Sequence, residues 1–161
     1  MKLINPSFSI VKQEPGLDGI YKAIESAGRT CYKSENKITP TSAKEFVDRM
    51  VKSGHHAMLE FGTVYLRIPM QYKDIDVYSS NLYSKVSFIK DTLSWYITTN
   101  YRVLIENGWL DDLKYLSEPT AFHEKRVCVR FTTDRGVSHE LVRHRVFSFA
   151  QESTRYFIIA T

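Results

Sequence analysis

Two stretches of this chain, Gly62 to Ile68 and Arg126 to Thr132, alternate apolar and polar side chains. That period of two suits only an extended strand with one face turned to a core. In the first, Val64, Leu66 and Ile68 share one face, Thr63, Tyr65 and Arg67 the other, and Pro69 ends the run. In the second, Val127, Val129 and Phe131 are expected to point inward. Other segments follow the helical period instead. Leu17, Ile20, Tyr21 and Ile24 predict a helix after the Glu14-Pro15-Gly16 turn. Ala43, Phe46, Val47, Met50 and Val51 predict another, opened by a capping-box pattern at Ser42-Ala43-Lys44-Glu45 and closed by Gly54.

Shorter signals complete the map. Phe8 and Ile10 fit a first strand within Ser7 to Lys12, and Val86 to Ile89 and Tyr156 to Ala160 fit further strands. Ile97, Tyr101, Leu104 and Ile105 predict a helix stopped by Asn107-Gly108, with a shorter one through Leu110, Leu113 and Leu116. Thr132-Thr133-Asp134 offers an N-cap for a helix that carries Val137, Leu141 and Arg143-His144-Arg145. The mixture predicts an α+β fold, an antiparallel sheet with helices packed on it, in a single domain over residues 1–161. Repeats, low-complexity tracts and linkers are absent from the sequence.

Hydrophobic residues at 43% and aromatics at 13% belong to a packed domain. No apolar run reaches the length of a membrane span, and the first residues lack a signal-peptide core, so a cytoplasmic protein without membrane association is expected. Cys31 and Cys128 stand far apart without CxxC spacing, which fits a reducing compartment. Of the net charge of +4, the segment from Arg126 to Arg155 carries +3, since six Arg face only Asp134, Glu140 and Glu152. A basic excess so concentrated suggests an anionic ligand.

Within that segment Arg143-His144-Arg145 is followed, after seven residues, by Ser153, inside Gln151-Glu152-Ser153-Thr154-Arg155-Tyr156. Guanidinium groups present planar, paired donors to phosphate and keep their charge at any working pH. On a helix, ~100° per residue would point Arg143, His144 and Arg145 in three directions, enough to reach two ligands at once. Other chemistries fit less well. His139 and His144 are five apart, facing ~140° away from each other on a helix, so a zinc-protease arrangement fails and no metal is expected. The seven glycines form neither GxGxxG nor a Walker loop. A small basic nucleic-acid-binding domain is the rival class, but each Arg is interleaved with core-type apolar residues, and no nucleic acid is expected as partner.

Arg143-His144-Arg145, seven residues and Ser153 together resemble the signature of the flavin-dependent thymidylate synthases. Ser53-Gly54-His55-His56-Ala57-Met58-Leu59-Glu60-Phe61 resembles the histidine segment of that family, and Gly28-Arg29-Thr30-Cys31-Tyr32 its early Arg segment. The resemblance implies the fold of the thymidylate synthase-complementing proteins. It also implies reductive methylation of deoxyuridine monophosphate (dUMP) to thymidine monophosphate (dTMP). Methylenetetrahydrofolate would give the carbon, FAD the hydride, and NADPH the electrons that reduce the flavin. Arg143 and His55 would be the catalytic residues. His55, Glu60, Arg143, His144, Arg145 and Gln151 would hold the cofactor, while Arg143, Gln151, Ser153 and Arg155 would bind dUMP. Cys31 would lie near the flavin. A homotetramer with sites at subunit interfaces is implied as well.

The matched segments run from Gly28 to Phe61 and from Arg126 to Tyr156; residues 70–125 resemble an insertion found in some members. Family members continue past the position of Thr161 with further ligand-binding groups, so impaired turnover, or an inactive flavin- and nucleotide-binding fragment, is an alternative expectation.

Overall fold

β2, Thr63–Pro69, is the strand on which the core is assembled. In the computed structural model, which describes residues 5–71, 75–144 and 147–153, Val64, Leu66 and Ile68 have no exposed surface. The outer face departs from simple alternation: Arg67 is exposed, but Tyr65 is buried as well. β4, Ser94–Asn100, pairs antiparallel with β2 on one side and with β3, Lys85–Ile89, on the other, giving the order β2-β4-β3. Leu66 lies opposite Ile97, and Ile97 opposite Val86, so one apolar row crosses all three strands. Segment 70–125 thus supplies the central strand of this sheet.

The helices close over it. α1, Gly16–Cys31, buries Ile20 and Ile24, and α2, Ser42–Lys52, buries Phe46 and Val47. The two approach closely at Gly28, where a Cβ would stand 2.4 Å from the Phe46 ring, so a larger residue would force them apart. The short α3, Asp76–Ser79, contributes the buried Tyr78, and α4, Tyr101–Asn107, contributes Leu104.

Several expectations need correction. Ile97 is in a strand, not a helix. In the β-branched run Ile97-Thr98-Thr99, Ile97 and Thr98 pair on both edges, and the helical spacing of Ile97 to Tyr101 and Leu104 spans a strand-to-helix junction. Asn100 makes that junction by accepting the Val103 N–H at 3.0 Å as N-cap of α4. The capping box at Ser42 does not form. Ser42 is already helical, and its hydroxyl accepts from the Thr39 amide and donates to the buried Glu25 carboxylate at 2.9 Å. The segment from Leu110 to Tyr115 is a 3-10 helix. The strand expected at Tyr156 to Ala160 lies outside the described residues.

β1, Ser7–Val11, and β5, Cys128–Thr132, pair antiparallel in a separate two-stranded ribbon. Val127, Val129 and Phe131 were expected inward, yet they are 66%, 36% and 56% exposed. Among the described residues no layer packs over them: the register sets Phe8 against Phe131 and Ile10 against Val129, both pairs open to solvent.

A strap joins the two sheets along the otherwise open edge of β2. Ser117 donates its amide to Tyr65, His123 Nε2 meets the Leu66 carbonyl at 3.1 Å, and Arg126 donates its amide to the Tyr65 hydroxyl. Covering an edge strand this way removes a free ladder of donors and acceptors. α5, Arg135–Leu141, follows β5 and is capped as expected, with Asp134 accepting the Val137 N–H at 3.0 Å.

Candidate functional site

The end of α2 aims the histidine segment. Gly54 has φ of +71°, in the left-handed region that glycine enters without steric cost. Its amide bonds the Val51 carbonyl, and the His55 amide bonds that of Met50. These are the paired bonds of a Schellman ending, which turns the chain sharply off the helix. His55 is left exposed, and a 3-10 turn over His56–Phe61 follows. His55 lines a cleft of about 440 Å³ with Tyr32, His56, Met58, Arg102 and Glu106. Another hollow, of about 320 Å³, lies between β1 and the strap and contains none of the motif residues.

One wall of the cleft is a charged network. Arg102 Nη1 meets Glu60 Oε1 at 2.6 Å, and Arg102 Nε meets Glu106 Oε1 at 2.8 Å. Glu106 Oε1 also faces His56 Nδ1 at 3.2 Å. Hydrogen bonds donated to Glu106 and Glu60 hold the Arg102 guanidinium above its ordinary value, against the opposing effect of burial. Burial pushes the Glu106 carboxyl up, but Arg102 and His56 together bring it below the usual carboxylate range. Glu60 Oε2 accepts a hydrogen bond from the Ser148 hydroxyl. Ser148 belongs to the spacer between Arg143-His144-Arg145 and Ser153, so Glu60 links that segment to Arg102 in the cleft wall.

Arg143 and His144 are not helical, contrary to expectation. α5 ends at Leu141, and the Arg143 and His144 amides bond back three residues, to Glu140 and Leu141. Such bonds tighten a final turn and release the chain, so Arg143 and His144 stand on an exposed turn, not around a helix. Arg143 is 73% exposed, and its described side-chain contact is the Glu140 carboxylate at 3.3 Å. Arg145 and Arg155 lie outside the described residues.

Past Ser148 the loop docks on the end of α1. The Ser153 amide donates to the Cys31 carbonyl at 3.2 Å, and Glu152 pairs with Lys33. Gln151 donates from Nε2 to the Ser138 hydroxyl at 2.9 Å, tying the loop to α5. Cys31 therefore sits under the motif loop. Burial pushes its thiol up, more than a hydrogen bond from the Gln151 backbone draws it down, so it stays protonated at neutral pH. Arg29, in the same early segment, is committed elsewhere: it meets the buried Glu25 carboxylate at 3.1 Å and lies 4.9 Å from the Phe46 ring centre.

The structure thus brings Glu60, Cys31, Gln151 and Ser153 to one loop and leaves His55, Arg143 and His144 open. It adds Arg102, Glu106, His56 and Ser148, which the sequence reading did not single out. Arg102 and Glu106 had a legible signal as oppositely charged residues four apart on a helix. Their link to Glu60, 42 positions away, had none.

The family model described as thymidylate synthase complementing protein matches residues 105–160, a span that contains the whole of the motif loop. No curated protein and no solved structure matches the chain. The matched span and the motif spacing coincide, so over residues 105–160 the chain is similar to the thymidylate synthase complementing proteins.

Proposed function

We propose that this chain forms part of a flavin-dependent thymidylate synthase, which converts dUMP to dTMP with methylenetetrahydrofolate as carbon donor and NADPH as reductant. The family match supports a thymidylate synthase-related function. The flavin and nucleotide reading rests on one observation: the Arg143-to-Ser153 loop is docked, through Glu60, on the wall of the cleft that His55 lines.

The residues suit such ligands. Arg143 is exposed and permanently charged, and its described partner is an exposed carboxylate, so a phosphate can compete for it. His144 stands open beside it, and Arg145 completes the cationic row in sequence. A cleft of about 440 Å³ with Tyr32 and Met58 in its lining takes a ring system, not a whole dinucleotide. The remainder of FAD would run over neighbouring surface or against a second copy. The exposed β1–β5 ribbon supports the assembly of copies, in keeping with a homotetramer.

When bound, FAD would supply the hydride, and the protein positions and neutralises. In this reading Arg143 grips phosphate on both nucleotide and flavin, and Arg145 assists on the flavin side. His55 and Glu60 border the flavin and folate, while Gln151, Ser153 and Arg155 bind dUMP. The protonated Cys31 thiol, pushed up by burial, suits chemistry in which no protein thiol attacks the pyrimidine. Free cysteines also suit a cytoplasmic location. No helix among the described residues is long and apolar enough to cross a membrane.

Titrating the chain with FAD, then dUMP, and following flavin absorbance tests the proposal. Saturable flavin binding that responds to dUMP is expected, with Arg143→Ala weakening it about tenfold or more. Tritium release from C5 of labelled dUMP separates a turning-over enzyme from a fragment that only binds. Salt-dependent DNA binding without flavin affinity would overturn the reading.

A further inference from the structure

We infer that Arg102 is a positioning residue for the Arg143-to-Ser153 loop, acting through Glu60. The two oxygens of Glu60 are divided between two partners: Oε1 takes the Arg102 guanidinium at 2.6 Å, and Oε2 takes the Ser148 hydroxyl. A carboxylate held on one oxygen by a cation has its plane fixed, so the other oxygen points to one place. Arg102 is itself fixed, because its Nε is bonded to Glu106 Oε1 at 2.8 Å and the guanidinium is planar. His56 Nδ1 meets the same Glu106 oxygen at 3.2 Å. The chain of contacts runs from α4 through Glu60 to the middle of the motif loop.

That loop is moored at each end of segment 148–153 in the described structure, with the Gln151 contact to Ser138 between them. Ser148 on Glu60 is the first mooring. The second is at α1, where the Ser153 amide meets the Cys31 carbonyl and Glu152 pairs with Lys33. Releasing the first leaves Phe147 and Phe149 and the turn carrying Arg143 and His144 held only from their ends. Arg102 and Glu60 side chains are 36% and 23% exposed, so their pair adds little to global stability. Its effect is local order at the loop, which distinguishes positioning from simple structural support. The inference rests on the proposed synthase reading for its catalytic consequence alone.

Amide hydrogen exchange on the 161-residue chain tests it, alongside FAD titration. Arg102→Gln should speed exchange at the Phe147 and Ser153 amides about tenfold while leaving β2 and β4 protected. Ser148→Ala should do the same, and the double variant should be no worse than either single one, because both changes cut one path. Arg102→Lys should restore part of the protection, since a cation still reaches Glu60; this variant and Ser148→Ala, both at solvent-accessible positions, keep the test sharp should Arg102→Gln fold poorly. Unchanged exchange in Arg102→Gln and Ser148→Ala, or fully additive effects in the double variant, would overturn the inference. If the loop responds while no form binds FAD, the positioning role stands and the synthase reading falls.

Discussion

The β2-β4-β3 sheet and the β1–β5 ribbon are written in the same code and live in different surroundings. Each carries alternating β-branched and aromatic residues, and each pairs antiparallel. In the sheet, Leu66 and Ile97 are wholly buried in a core they share with residues of α1 and α2. In the ribbon, Phe8 is 71% exposed and Phe131 56%. Alternation therefore specifies a strand and its two faces, but not what lies over either face. Cover depends on segments distant in sequence or on another molecule, and the ribbon bears exposed apolar area of the kind that marks an interface.

The sharpest way to break this comparison is to hollow out both sheets. Leu66→Ala should lower the unfolding free energy by about 3 kcal/mol in urea titrations, because a filled site with no exposure cannot collapse fully around the gap. An equal loss from Phe131→Ala at low protein concentration would erase the distinction between the regions.

A smaller effect should come from the strap that links them. His123 is buried, with Nε2 on the Leu66 carbonyl and Nδ1 accepting from the Thr120 amide, which is the pattern of a neutral imidazole. Burial lowers its pKa from the ordinary 6.5. The unfolded chain then binds the proton more readily, so the strap's contribution is full above pH 6.5 and is lost as pH falls through the folded value. The Glu106 carboxyl, also lowered, loses its contribution in a separate window below 4.5. Thermal melts from pH 7.5 to 5 should show the first decline, and His123→Gln should flatten it.

The smallest effect is expected on the ribbon itself. Phe131→Asp should change the stability of the isolated chain by less than about 0.5 kcal/mol, as a substitution on an open face. If copies assemble through the ribbon, the same variant should abolish any concentration dependence of the melt seen in the parent, which sedimentation would register as lost oligomer.

Much of the fold was legible for local reasons. The α1 and α2 stripes, the β2 alternation, the Gly54 ending and the Asp134 cap all follow from neighbours within a few positions. Ile97 misled because a strand passes directly into a helix at Asn100, and the two periods overlap across the junction. Ser42 misled because its hydroxyl had a better partner in the buried Glu25, 17 residues earlier. The Arg-His-Arg run looked helical by continuity with α5, yet bonds to the third residue back end the helix first.

The site divides along the same line. Residue types and spacing alone determined the Arg143-to-Ser153 signature, the basic segment and the link to the thymidylate synthase complementing proteins, because a motif is a fact about order along the chain. Only the tertiary structure decided that Glu60 joins Arg102 to Ser148 and that Cys31 lies under Ser153. Those contacts join residues whose separation in sequence says little of their distance in space, and close packing, with the directional demands of buried charges and hydrogen bonds, selects them.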